Sequence, residues 1–134
     1  MLSAPDFYRL FKLAVYASDI GVGGVLLQEV TDGIDHPVCY FSRKLNKHQK
    51  KYSTIEKECL ALLLSLQHFE VYLSACSFDV IVYTDHNPLT FINKMKNKNQ
   101  RLLQWCLLLQ EYNLDIRHIR GKDNVIADAL SRIG

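Results

Sequence analysis

The chain has 134 residues, 49% of them hydrophobic, with a formal net charge of +2. That length suits one domain with its own core, and a charged fraction of 22% with aromatic residues throughout excludes global disorder. No apolar run approaches the roughly 20 residues of a membrane span, and residues 1–10 lack the basic start and apolar core of a secretory signal.

With so small a net charge, any affinity for nucleic acid has to come from local clustering. Cys39, Cys59, Cys76 and Cys106 are widely spaced, with no CxxC pair and no histidine pair at zinc-finger spacing. They read as reduced, mostly buried thiols of an intracellular protein, with zinc binding as the lesser alternative.

Residues 2–11, LSAPDFYRLF, read as a linker end with one Pro-initiated turn. Phe11, Leu13 and Val15 then alternate with Lys12, Ala14 and Tyr16, the period of a β-strand. Gly21, Gly23 and Gly24 are expected to turn the chain into a second apolar run at Val25–Leu27, making an early hairpin at the centre of a mixed sheet. Thr31-Asp32-Gly33 is a turn signal, and Pro37–Phe41 reads as a short third strand whose leading proline suits an edge or a strand start. Ser42–Lys51, with Arg43, Lys44, Lys47, Lys50 and Lys51, reads as a solvated loop, with nucleic-acid contact as an alternative.

Ser53-Thr54-Ile55-Glu56 is a capping box that opens a helix expected to run to about Leu73. Its apolar stripe is Ile55, Cys59, Leu62, Leu63, Leu66, Phe69 and Leu73. Glu58 lies on the flank of that stripe, near a helix–sheet junction, although spacing alone also suits an ordinary exposed glutamate. Phe78–Thr84 is a fourth strand rich in β-branched and aromatic residues, and Asp85 follows it directly. A carboxylate at the carboxyl end of a strand is placed for ligand chemistry, and equally for capping a turn before Pro88.

A short helix is expected at Leu89–Ile92. Lys94, Lys96, Lys98 and Arg101 form the densest basic cluster, suited either to phosphate contacts or to a solvated linker. Leu102, Leu103, Cys106, Leu107 and Leu109 with Trp105 predict a buried amphipathic helix, and Leu114–Ile119 a fifth strand. Asp123 is a candidate N-cap for a last helix, on which Asn124 and Asp128 share a face. The order of elements defines an α/β domain with a five-stranded mixed sheet flanked by helices.

Several stretches resemble the RNase H domain of gypsy-type LTR retrotransposon reverse transcriptases. They are LAVYASDIGVGGVLLQ, PVCYFSRKL, YSTIEKECLALL, VYTDHNPL, RLLQW and HIRGKDNVIADALSR, which together span nearly the whole chain. The resemblance implies an RNase H-like fold over residues 11–134, with 1–10 as the end of a linker from a polymerase part. It further implies a polyprotein with polymerase and integrase parts, an intracellular setting in a cytoplasmic particle or the nucleus, and no membrane association. The implied activity is two-metal hydrolysis of the RNA strand of RNA–DNA hybrids with Mg²⁺ or Mn²⁺.

Mapped by motif, Glu58, Asp85 and Asp128 match metal-binding catalytic carboxylates, and the resemblance is what brings them together. His118 matches, more loosely, a histidine that assists product release. Lys94, Lys96, Lys98 and Arg101 would bind the hybrid.

Tyr16 breaks the pattern, because the family carries the aspartate that bridges both metals at that position. A phenol is neutral at pH 7 and offers one weak donor–acceptor oxygen. Two readings follow: an RNase H with an impaired site, or an inactive hybrid-binding or structural module, such as a decayed or domesticated copy. Asp19, just past the strand, is expected to point elsewhere.

Overall fold

The computed structural model describes residues 5–6, 8–29, 33–75, 79–84 and 100–118. Five strands form one sheet: β1 (Lys12–Ala17), β2 (Gly21–Glu29), β3 (Asp35–Lys44), β4 (Val80–Thr84) and β5 (Leu114–His118). Their order across the sheet is β3-β2-β1-β4-β5. The β1–β2 and β2–β3 pairs are antiparallel, and β1–β4 and β4–β5 are parallel, so the sheet is mixed as expected.

The hairpin strand β1 is the central strand. Leu13, Ala14 and Val15 are all buried, because a central strand is covered on both faces. Leu13 and Val15 join the main core, whereas Ala14 and Tyr16 pack with Val25, Leu27, Ile81 and Tyr83 on the opposite face.

The turn of this hairpin is not made by the glycines. Ser18 closes it, with its N–H donating to the Gly21 carbonyl at 2.8 Å and its hydroxyl accepting from Gly21 N at 3.2 Å. Gly21, Gly23 and Gly24 lie inside β2. At two of them the missing side chain makes room for a neighbour. A Cβ at Gly23 would overlap the Tyr16 ring and the Phe41 carbonyl oxygen, and one at Gly24 would overlap the Ser65 hydroxyl.

The third strand is also longer than Pro37–Phe41. It runs through Ser42, Arg43 and Lys44, which pair with Gly23, Val22 and Gly21. The segment looks like loop because β3 is an edge strand, where polar and charged side chains face water. Pro37 sits beside a register shift between Leu26 and Leu27, where a missing N–H is tolerated. The rest of the expected loop holds a one-turn helix, α1 (Lys47–Lys50), capped reciprocally by Asn46 and Gln49.

The Ser53–Glu56 capping box opens α2 (Thr54–His68), as expected. The helix breaks at Phe69, and the chain continues as α3 (Glu70–Ser74). The stripe spacing continues unchanged across the break, so periodicity alone reads one helix. Ile55, Cys59, Leu62, Leu63, Leu66, Phe69 and Leu73 are all buried against the sheet and α4 (Gln100–Leu109).

On α4 the buried residues are Leu102, Cys106 and Leu109, at i, i+4 and i+7. Leu103 and Leu107, expected in the core, are exposed, because a helix lying on one neighbour buries only one stripe. Cys39, Cys59 and Cys106 are free thiols, in line with the reduced reading; Cys76 lies outside the described residues.

The expected linker end is tied to this domain by a buried side chain. The Gln28 amide accepts from Asp6 N at 2.8 Å and donates to the Asp6 and Arg9 carbonyls at 2.7 and 3.2 Å. The helices expected at Leu89–Ile92 and after Asp123 lie outside the described residues.

Candidate active site

The parallel pairing aligns the carboxyl ends of β1, β4 and β5. Tyr16 is the last residue but one of β1, Thr84 ends β4, and His118 ends β5 as the register partner of Thr84. Asp85 follows Thr84 in sequence, but Asp85 and Asp128 both lie outside the described residues, as do Lys94, Lys96 and Lys98. The backbone of His118 is therefore at the strand end next to the residue that precedes Asp85.

Tyr16 is half-buried and reaches across the sheet. Gly23 is its register partner on β2, and the ring occupies the space a side chain would take there. Its hydroxyl donates to the Phe41 carbonyl of β3 at 3.4 Å, a long hydrogen bond. The ring thus bridges three strands on the face that carries Ala14, Val25 and Tyr83. In the sequence, a glycine near an aromatic residue is the available signal, and it is hidden because glycines there also read as turn residues.

Glu58 rises from α2, which covers the other face of the sheet. It is half-buried, and its Oε2 is withdrawn from solvent. This is the junction position the flank of the stripe suggested, not a fully exposed surface. Asp19 is fully exposed in the β1–β2 turn, with Lys57 Nζ 3.8 Å away. It points outward, as expected, and does not stand in for a carboxylate at position 16.

Arg101 is already engaged. Its Nη1 donates to Glu56 Oε2 at 2.7 Å, and the guanidinium lies 4.3 Å from the Tyr52 ring centroid. The other Glu56 oxygen accepts from Ser53 N at 3.2 Å and from the Ser53 hydroxyl at 3.0 Å. Burial raises the Glu56 pKa, but Arg101 and the two Ser53 donors outweigh it and hold the carboxyl below its ordinary value. In the sequence Glu56 reads only as a cap, because its second partner is 45 residues away.

At the other end of β1, Lys12 Nζ pairs with Asp35 at 2.8 Å and Glu29 at 3.3 Å, and the Tyr83 hydroxyl donates to Asp35 at 3.3 Å. Burial works against the Lys12 charge, yet the two carboxylates keep its pKa raised. An open hollow of about 470 Å³ lies here, lined in part by Tyr8, Arg9, Leu10, Lys12, Glu29 and Arg117. Neither Tyr16 nor Glu58 is among its described lining residues.

A divalent-ion site needs hard, charged oxygens. Glu58 fits that requirement. Tyr16 does not, because it supplies a phenol already donating to a backbone carbonyl. Among the described residues no group of three or more His, Cys, Asp or Glu is placed to hold a metal ion.

A mixed five-stranded sheet with these helices is the RNase H-like α/β fold. The foamy virus protease–reverse transcriptase has the same fold, with a TM-score of 0.72 at 18% identity over 89% of this chain and 16% of that one. LC11-RNase H1, solved with an RNA/DNA hybrid, superposes with a TM-score of 0.59 at 19% identity, over 90% of this chain and 91% of its own.

Residues 6–112 match the family described as the RNase H-like domain found in reverse transcriptase, and the chain belongs to that family. It is 44% identical over 133 residues, 99% of its length, to the retrovirus-related Pol polyprotein from transposon opus of Drosophila melanogaster. It is 42% identical over 130 residues, 96% of its length, to the transposon Tf2-3 polyprotein of Schizosaccharomyces pombe. The chain spans 13% and 10% of those two polyproteins.

Proposed function

We propose that this domain is the RNase H part of a gypsy-type retrotransposon polyprotein, that it engages RNA–DNA hybrids, and that its cleavage of the RNA strand is impaired. The observation that carries the impairment is the Tyr16 side chain. Its ring fills the space over Gly23 and its hydroxyl is committed to the Phe41 carbonyl, so no carboxylate is available at that point of the central strand.

The rest of the reading draws on the family and the motif matches. Glu58, Asp85 and Asp128 are the carboxylates that would hold Mg²⁺ or Mn²⁺, weakly without a fourth. His118 is a lesser participant at the end of β5. Lys94, Lys96 and Lys98 supply phosphate contacts that do not read sequence. Hybrid as the partner is supported by the foamy viral protease–reverse transcriptase and LC11-RNase H1, both of which have been solved with RNA/DNA hybrid. Polymerase and integrase parts of the same polyprotein are the expected neighbours, given that the relatives are far longer polyproteins. An intracellular setting accords with the free thiols, and no helix among the described residues is long and apolar enough to cross a membrane.

A second reading rests on the same residue. With cleavage lost, the fold persists as a hybrid-binding or structural module. Parallel assays of hybrid binding and Mg²⁺-dependent cleavage separate the two. Binding with weak cleavage supports the impaired enzyme, and binding with none supports the module. Fast cleavage by the unsubstituted chain overturns both.

A further inference from the structure

Tyr16, Gly23 and Ser42 stand in one register row across β1, β2 and β3. At about 4.8 Å between strands, the Ser42 backbone lies about 10 Å from that of Tyr16. Tyr40 and Lys44 flank Ser42 two residues to either side on β3, so all three side chains share the face of the Tyr16 ring. Ser42 and Lys44 are exposed, and Tyr40 is 50% exposed. Arg43 takes the other face, where its guanidinium lies 5.5 Å from the ring centroid of Phe41, a core residue.

Beyond Lys44 the backbone is fixed at both ends. Leu45 is buried, and its N–H donates to the Ile20 carbonyl at 2.8 Å. Tyr52 meets the Trp105 ring edge-on, at 5.9 Å between centroids. Between them, α1 buries no residue and is held by its own caps. Lys47 and Lys50, three apart on its single turn, are both exposed. The sequence has no Asp or Glu between Asp35 and Glu56. Among the described residues, Lys44, Lys47 and Lys50 make no ion pair. Asp19, next to Ile20 in the β1–β2 turn, has Lys57 Nζ 3.8 Å away. Three unpaired ammonium groups on a fixed backbone, at the carboxyl end of β3 and beside an exposed tyrosine, suit a polyanion.

Resting on the hybrid-binding reading above, we propose that Lys44, Lys47 and Lys50 form a phosphate-contact surface that holds the hybrid backbone along the β3 edge, beside the Tyr16 position. The contacts go to phosphates and so do not depend on base sequence. A backbone already fixed by Leu45, Tyr52 and the α1 caps spares part of the ordering cost of binding.

Two simpler accounts make different predictions. If the lysines only solvate the edge and complement the carboxyl end of α1, neutralising them leaves hybrid binding unchanged. If only the diffuse positive field matters, Arg43 on the opposite face counts as much as Lys44.

The experiment titrates a fluorescent RNA–DNA hybrid duplex at several salt concentrations. It compares the unsubstituted chain, Lys44→Gln, Arg43→Gln, the triple variant Lys44→Gln/Lys47→Gln/Lys50→Gln and the charge-keeping triple Lys44→Arg/Lys47→Arg/Lys50→Arg. Lys44→Gln should lower the salt slope by about 0.9 and the glutamine triple by about 2.7, with affinity at low salt down at least about tenfold in the triple. The arginine triple should keep the unsubstituted slope, and Arg43→Gln should leave it nearly unchanged. Melting temperatures should stay within about 2 °C throughout, because the substituted side chains are exposed.

An unchanged slope in the glutamine triple overturns the proposal while the hybrid-binding reading stands. Equal losses in Arg43→Gln and Lys44→Gln overturn it too, in favour of a diffuse field. If the unsubstituted chain binds no hybrid, the functional reading itself falls and takes this surface with it.

Discussion

Replacing Tyr16 by aspartate exchanges a ring for a carboxylate on the central strand, and the structure sets the size of the change. Complete removal of a fully buried aromatic side chain costs about 3–5 kcal/mol. Tyr16 is half-buried, and its 3.4 Å hydrogen bond to Phe41 is too long to add much. A carboxylate in its place faces the Phe41 carbonyl, an acceptor, with no donor in exchange. The metal-free Tyr16→Asp domain should therefore lose about 2 kcal/mol, or roughly 6–10 °C of melting temperature for a domain of this size.

Divalent ions then separate the two proteins. If Tyr16→Asp completes a site with Glu58, Asp85 and Asp128, Mg²⁺ at 100 times its dissociation constant restores about 2.7 kcal/mol. The unsubstituted chain should melt nearly alike with and without Mg²⁺. Cleavage of a labelled hybrid should rise on the order of 10⁴-fold in Tyr16→Asp, equivalent to about 5 kcal/mol of barrier. Asp85→Asn in that background should abolish cleavage again, since the amide keeps the shape without the charge. A Tyr16→Asp protein that loses stability, gains none from Mg²⁺ or Mn²⁺ and cleaves nothing would refute the claim that Tyr16 is the single defect. Fast cleavage by the unsubstituted chain, abolished by Asp19→Asn, would refute the outward placement of Asp19.

Gly23→Ala should destabilise the domain by about 1–3 kcal/mol in a denaturant titration, because its Cβ overlaps both the Tyr16 ring and the Phe41 carbonyl oxygen. In a Tyr16→Asp background the ring overlap is gone and the cost should shrink, giving a measurable coupling. Ser65→Ala should be neutral or stabilising by up to about 1 kcal/mol, since the Ser65 hydroxyl is fully buried with no hydrogen-bond partner among the described residues. The Glu56 carboxyl is held below its ordinary pKa, so its contribution is present above about pH 4.5 and is lost as pH falls through the folded value. The melting temperature of Glu56→Gln should accordingly lie below that of the unsubstituted chain at pH 7 and converge with it toward pH 3. Burial pushes the Cys59 thiol up to about 12 and Cys39 up to about 11, so both should resist thiol reagents at pH 8 until the chain is unfolded.

What the chain order determined by itself was local. The Ser53–Glu56 cap needs only residues three apart, and the structure has it with both reciprocal hydrogen bonds. The alternation at Leu13–Tyr16 and the stripe from Ile55 to Leu73 depend only on the period of a strand and a helix, and they place the central strand and the covering helix. The motif resemblance was also legible, and it implies an aspartate where this chain has Tyr16. Asp85 and Asp128 rest on the motif resemblance, and Lys94, Lys96 and Lys98 on the density of basic residues; all of them lie outside the described residues.

Docking decided the rest. Gly23 reads as a turn residue until β2 is laid against β1 and the Tyr16 ring needs the room. Arg43 and Lys44 read as loop until they form the edge of the sheet, and Leu107 reads as core until α4 settles on one stripe. Glu56 looks like a cap alone until Arg101 arrives from 45 residues away. Propensity and period act through covalent neighbours over a few residues. The space around a side chain, and the charge beside it, come from whichever distant segment packs there.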